Sequence, residues 1–431
     1  MAFNSNYVSI SPNKIANYAD LRWARMEKRQ EHRSPFSKDR DRILYSKSFL
    51  RLRGKTQVFM LHKNDYIRTR LTHSLEVNQL AKSIASALGL NLDLVEAIAL
   101  GHDVGHTPFG HVGERTIANM LECDNDTPAN ERGFKHNLQA LRLLCDLEKG
   151  ADYPQTKGLN LTKYTLWGIS HHSSLKQQDN PFYDTYLNAI NAYWSFEGFI
   201  VAIADEVAQR HHDIEDSLRY GIIDRNTLLN EIDNFSPLFG NSEKSCKKRL
   251  KEELTILDEP VFNSLFARLV VNMYITDIIN YSKTKLRVLC NNYNINNQQD
   301  FVNAKAGMTP DDYIDCISMS TELKALDDNF QNFLKTNVLS SYQAQAMDGK
   351  AAYIIKKLFE AFRDTPSQMP DTAICSFSDL AGLGLPYSRD FALNSIQDNK
   401  KILHRCIADY IGGMTDQFAY DEFDRLYGTR I

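Results

Sequence analysis

The sequence predicts an all-α protein, and three observations carry that expectation. Apolar residues recur at helical spacing over long segments, those segments start at capping residues and stop at glycines, and the alternation of half-buried strands is nearly absent. No internal repeat or low-complexity tract interrupts the pattern. The chain has 431 residues, 43% hydrophobic and 24% charged, enough for one large domain or two smaller ones with a substantial core.

Taken in order, residues 1–37 read as a polar N-terminal arm, 38–220 as a core, 221–345 as a helical insert decorating that core, and 346–431 as a C-terminal helical segment packing on it. After the arm, residues 38–70 hold ten Lys and Arg (Lys38, Arg40, Arg42, Lys47, Arg51, Arg53, Lys55, Lys63, Arg68, Arg70) against Asp39, Asp41 and Asp65, a local excess of seven positive charges. In a chain of formal net charge −4, such a run points to an anion nearby, unless it is only a solvated face. Val77, Leu80, Ala81, Ile84 and Leu88 then mark an amphipathic helix ending at Gly89. A second helix begins after Asn91, buries Leu94, Val95, Ile98 and Ala99, and delivers His102 and Asp103 at its end.

Residues 101–114 (Gly-His-Asp-Val-Gly-His-Thr-Pro-Phe-Gly-His-Val-Gly-Glu) bring His102, His106 and His111 beside Asp103 and Glu114, a density of imidazole and carboxylate that packing rarely produces. Neutral imidazole and carboxylate together hold a divalent ion, Mg, Mn or similar, and such an ion makes bound water acidic enough for hydrolysis near neutral pH. His111 and Glu114 lie three apart on a third helix, Gly110–Leu121, and form an acid/base unit. Residues 122–133 read as a loop, His136 alone as an ordinary helix-start histidine, and His171-His172 as loop histidines closing a buried helix around Trp167. The helix 196–220 is apolar all round at Phe199–Ala204 and then places Asp205, which is either paired to a cation such as Arg210 or a metal ligand. His212, seven residues on, falls on nearly the same face.

Seven scattered cysteines (Cys123, Cys145, Cys246, Cys290, Cys316, Cys375, Cys406) form no Cys-x-x-Cys pair and read as reduced thiols. A signal pattern is missing, as is any apolar run approaching roughly 18 residues, so a cytoplasmic protein with no membrane contact is expected. The acidic balance argues against a dedicated nucleic-acid binder. His102-Asp103-Val104-Gly105-His106 imitates the zinc-protease motif, but Asp is a methylene shorter than its Glu, and Gly105 and Pro108 shorten the helix that motif requires.

The order His73, His102-Asp103, Asp205 resembles the signature of HD-domain phosphohydrolases. Lys55–Phe59, Arg68–Val77, Gly101–His111, Leu166–Ile169, Ala204–Glu206 and Asp409–Ala419 resemble, more narrowly, the deoxynucleoside triphosphate triphosphohydrolases of that superfamily. The resemblance implies an α-helical, metal-dependent homo-oligomer, tetramer or hexamer, that converts a dNTP substrate to deoxynucleoside and inorganic triphosphate. It implies His73, His102, Asp103 and Asp205 as metal ligands, His111 with Glu114 as the catalytic pair, and His136 and His106 as further active-site histidines. Arg70 would meet the phosphates, and Gln57 and Asp213 the deoxyribose. Gln209 stands where several relatives carry a tyrosine, so the base preference is left open, as are a dNTP activator and a single-stranded nucleic-acid ligand. The rivals are an HD phosphohydrolase acting on nucleoside monophosphates, cyclic nucleotides or guanosine tetraphosphate, and a non-catalytic nucleotide or nucleic-acid binder.

Overall fold

The structure, a computed structural model, describes residues 22–24, 33–57, 68–122, 133–150, 157–173, 183–219, 221–232, 259–383, 388–396 and 399–428. Most of the N-terminal arm, Lys63, the loop at 123–132 and the charged segment at 243–253 lie outside these residues. Among the described residues there is no strand, only three isolated bridges (Arg22 with Thr162, Thr56 with Thr69, Lys149 with Gly158).

Helix starts follow their capping chemistry. Ser34 and Ser46 cap α1 (Pro35–Leu44) and α2 (Lys47–Arg51), each accepting from the backbone N–H three residues on. Thr69 and Thr72 form a capping box that opens α3 (Arg70–Leu88), and Gly89, at φ 70°, closes it in the left-handed conformation. Asn91 caps α4 (Leu92–Gly101). There follow α5 (Gly110–Glu122), α6 (His136–Arg142), α7 (Lys163–His171, capped by Thr162), α8 (Asp184–Ile190) and α9 (Phe196–Arg219).

Two apolar clusters hold these helices. The first joins Val77 and Ile84 of α3, Val95 and Ile98 of α4, Leu138 and Leu141 of α6, Trp167 of α7 and Phe199, Ile200, Val201, Ile203 and Ala204 of α9. The 34-residue helix Glu259–Asn292 packs on α9 and α3, and it adds Phe266, Val270, Tyr274, Ile278, Leu286 and Leu289 to the same cluster. This segment was expected only to decorate the core, yet it supplies part of it. The second cluster takes Phe109, Ile117 and Leu121 from the α5 region together with Phe134, and completes itself with helices Tyr342–Asp364, Asp371–Leu380, Lys400–Gly412 and Asp416–Tyr427. α5 therefore stands between the histidine-rich turn and the C-terminal helices. No described helix is long and apolar enough to cross a membrane.

Candidate metal-dependent active site

His73 lies in the first turn of α3, His102 and Asp103 at the end of α4, and Asp205 in the middle of α9, so three helices bring four donors to one point. Around His73 Nε2, Asp205 Oδ1 lies at 2.8 Å, His102 Nε2 at 3.3 Å and Asp103 Oδ2 at 3.8 Å. His102 Nε2 is in turn 3.4 Å from Asp103 Oδ1 and 3.7 Å from Asp205 Oδ1. Donors each about 2.1 Å from one ion stand about 3 Å apart at right angles, so these separations fit a shared divalent cation.

The ring nitrogens are also set for ligation. His102 Nδ1 donates to the Ala99 carbonyl at 2.7 Å, which turns its Nε2 lone pair inward. His73 Nδ1 lies 3.3 Å from His212 Nδ1, and His212 Nε2 is hydrogen-bonded to Glu76, itself one turn along α3 from His73. A carboxylate only accepts, so His212 donates from Nε2 and accepts at Nδ1 from His73. Burial holds the His212 imidazole down to about 3, outweighing the pull of Glu76, which keeps this ring neutral. For His73 burial acts downward, but the hydrogen bond to Asp205 and the Asp205 and Asp103 charges outweigh it and raise the imidazole. Asp205 is not Arg210's partner: Arg210 Nε donates to Asp327 Oδ1 at 2.9 Å, and Asp205 is left to the histidines.

Arg70 is buried and its Nη1 donates to Asp103 Oδ2 at 2.8 Å. Asp103 also accepts from His106 Nε2 at 3.1 Å. Burial alone would raise Asp103, but His102, His106 and Arg70 hold it well below the carboxylate range. Burial, then Arg70 and His136, push His106 well below the imidazole range, and its ring stacks on His136 at 3.8 Å between centroids. Arg70 Nε and His106 Nδ1, on two side chains that both contact Asp103, have no hydrogen-bond partner, and neither has Gln57 Oε1. Buried polar atoms are rarely left so, and the two beside Asp103 are open to a polar ligand.

Glu114 does not serve His111 alone. Its Oε2 accepts from His136 Nδ1 at 2.6 Å, whereas His111 Nδ1 is 3.8 Å away on a side chain 57% exposed. Burial acts upward on Glu114, but the two imidazoles hold it well below the carboxylate range. The loop that presents His111 is backbone-controlled. Phe109 and Gly110 both have positive φ (60° and 57°), a Cβ on Gly110 would meet Arg70 Nη2 at 2.9 Å, and a Cβ on Gly105 would meet the His136 carbonyl at 2.0 Å. Asp416 pins this loop, its Oδ1 accepting from Phe109 N and its Oδ2 from Thr56 N, both at 2.9 Å.

Two expectations need correction. His171 and His172 are not loop histidines: His171 ends α7, both are buried, and His172 Nε2 lies 3.2 Å from His136 Nε2 inside the site. Sequence alone hid this, because two adjacent histidines after a buried helix carry no ligand spacing. Nor is the basic run one face. Arg68 pairs with Glu76, Glu215 and Asp216, and buried Lys55 donates to the His106 and Gly412 carbonyls. Lys38, Arg42, Lys47 and Arg51 line a separate groove of about 2140 Å³ that also carries Asp371, Asp379 and Glu422. Of the described run, Arg70 alone pairs with a metal-ligand candidate. Asp213 is buried near His73, and burial, reinforced by Asp216, lifts its carboxyl to about 7.

The HD domain family model matches residues 70–210, which contain all four candidate ligands, and the phosphohydrolase-associated domain model matches 317–381 and 383–425. Proteins named deoxyguanosinetriphosphate triphosphohydrolase-like are similar along nearly the whole chain. That of Cereibacter sphaeroides is 34% identical over 406 residues, covering 92% of this chain and 94% of the relative. For Geobacter sulfurreducens the identity is 32%, covering 93% and 90%, and for Nitrosomonas europaea 35%, covering 92% and 91%.

Proposed function

We propose a reaction for this chain, which belongs to the HD-domain family of deoxyguanosinetriphosphate triphosphohydrolase-like proteins: hydrolysis of a deoxynucleoside triphosphate to deoxynucleoside and intact inorganic triphosphate, by water attack at the α-phosphorus. The observation that carries it is the convergence of His73, His102, Asp103 and Asp205 beside the buried guanidinium of Arg70.

A divalent ion held by those four residues supplies Lewis-acid polarisation of the α-phosphate and a more acidic water. Arg70, anchored through Nη1 and unpartnered at Nε, offers a fixed positive charge to the phosphates. His111, whose side chain is largely exposed, acts as the acid/base group at the departing 5′-oxygen, with Glu114 holding His136 beside it. His106 Nδ1 and Gln57 Oε1 are available as acceptors for substrate hydroxyl or amide groups, and the deoxyribose is assigned to Gln57 and buried Asp213.

We place this activity in a cytoplasmic homo-oligomer, with exposed Tyr45, Leu50, Phe391 and Phe418 as apolar surface for contacts between copies. The purified protein, incubated with each dNTP singly and in pairs with Mg or Mn, tests the reading by product analysis. Triphosphate release supports it, and acceleration of one dNTP by another reveals an activator. Release of phosphate or pyrophosphate instead assigns the chain to another HD chemistry.

A further inference from the structure

Phe109 holds a backbone conformation that a bulky residue avoids unless its surroundings impose it: its φ is 60°, in the left-handed region, and Gly110 follows at 57°. Its ring is buried in the C-terminal cluster, 5.2 Å from that of Tyr420 between centroids, and its N–H donates to Asp416 Oδ1 at 2.9 Å. Asp416 opens the helix Asp416–Tyr427 and is 4% exposed. Its other oxygen, Oδ2, accepts from both the N–H and the hydroxyl of Thr56. One buried carboxylate therefore joins two segments that lie 307 and 360 residues before it in the chain. Both segments carry chemistry. Gln57 follows Thr56 directly, and the backbone N–H of Arg70 donates to the Lys55 carbonyl at 3.1 Å, which ties Arg70 to the same stretch. His111 follows Phe109 and Gly110 in the first turn of α5, so the two positive φ angles set the direction in which that helix leaves the turn. None of the three hydrogen bonds of Asp416 goes to His73, His102, Asp103 or Asp205.

We propose that Asp416 is a positioning residue for the hydrolysis, keying the turn that carries His111 to the stretch that carries Gln57 and Arg70, so that acid/base group, sugar contact and phosphate contact keep one mutual placement. The inference rests on the roles given to those three residues above. Three donors meet the two oxygens of this carboxylate. An amide in its place has one accepting oxygen and turns its NH₂ group on a donor. Phe109 then loses the bond that offsets its φ, and its return to negative φ swings the start of α5 and His111 with it. A displacement of about 1 Å at a reacting group costs roughly 10²-fold in rate. The metal-ligand candidates, held on α3, α4 and α9, keep their places.

Hydrogen exchange and turnover of the full-length protein test this by separate readouts. In Asp416→Asn, exchange should quicken at residues 107–112 and 55–57 and stay unchanged in α4, Mn²⁺ affinity by dialysis should match the wild type, and kcat should fall roughly 10²-fold. Glycine adopts positive φ freely, so adding Phe109→Gly to Asp416→Asn should recover part of that loss, even though it removes a buried ring and lowers the melting temperature. A merely structural role predicts a double variant worse than either single one. Wild-type exchange or wild-type kcat in Asp416→Asn, or a loss that glycine at 109 leaves undiminished, overturns the proposal. Should Asp416→Asn fail to fold, Thr56→Val withdraws one donor alone: faster exchange at 55–57 with lower kcat supports the proposal, and no change in either overturns it. A wild type that releases triphosphate from no dNTP overturns the proposed function instead, and exchange in Asp416→Asn still decides whether the carboxylate holds both segments.

Discussion

His73 meets His212 through facing Nδ1 atoms 3.3 Å apart, and His212 rests its other nitrogen on Glu76, so a carboxylate on α3 fixes a histidine of the same helix by way of α9. This chain of contacts aims the Nε2 of His73 at Asp205. Loss of such outer partners commonly weakens metal binding by roughly 10- to 100-fold. We expect His212→Phe to weaken Mn²⁺ binding at the His73 site by that factor, and Glu76→Gln to weaken it less, since the amide oxygen still accepts from His212. Equilibrium dialysis measures both, and an unchanged dissociation constant in His212→Phe removes the contact from the site.

Ligation and proton transfer separate at Asp205 and His111. Asp205→Ala should lose both hydrolysis and the ion of the HD site while keeping its helical content. His111→Ala should keep that ion but lose roughly 10²-fold or more in rate, the range that acid/base catalysis supplies. Because Glu114 is bound more closely to His136 than to His111, Glu114→Gln should cost at least as much as His111→Ala. Metal analysis beside turnover numbers tests all three, and an active Asp205→Ala with metal bound contradicts the ligand set.

Lys55 links the site to the C-terminal helices, donating to the His106 and Gly412 carbonyls. Burial, with Arg51 and Arg70 nearby, lowers its ammonium from 10.5 to about 7. Between those two values the unfolded chain binds more protons than the folded one, so this residue makes stability rise with pH across that window. The melting-temperature deficit of Lys55→Met should therefore widen from pH 7 to pH 10. Parallel pH curves for the two proteins would show that Lys55 does not titrate in this way.

Legibility in the sequence follows the range of the contact. Helices α3, α4, α5 and α9 are set by local periodicity and neighbouring caps: α4, α5 and α9 lie within a residue or so of where spacing places them, and α3 stops at Gly89 as expected. The Glu259–Asn292 helix was harder to read. Its buried residues Phe266, Val270, Tyr274, Ile278 and Ser282 step by four, which winds the stripe around the axis, and exposed Val288 dilutes it. Partners remote in sequence are invisible to any local rule. Arg210 finds Asp327, 117 residues away, and Thr56 finds Asp416, 360 away. His172 belongs with these, since its place is decided by where α7 packs against α6.

The central claim is that the bond breaks at the α-phosphorus, beside the four-residue metal site and Arg70. Hydrolysis of a dNTP in ¹⁸O-labelled water tests it most directly, with products resolved by mass spectrometry. The account predicts unlabelled deoxynucleoside, triphosphate carrying one label on its former α-phosphorus, and no diphosphate at any time. Label in the nucleoside would place attack at C5′, and early diphosphate would place it at the γ end; either result contradicts the account.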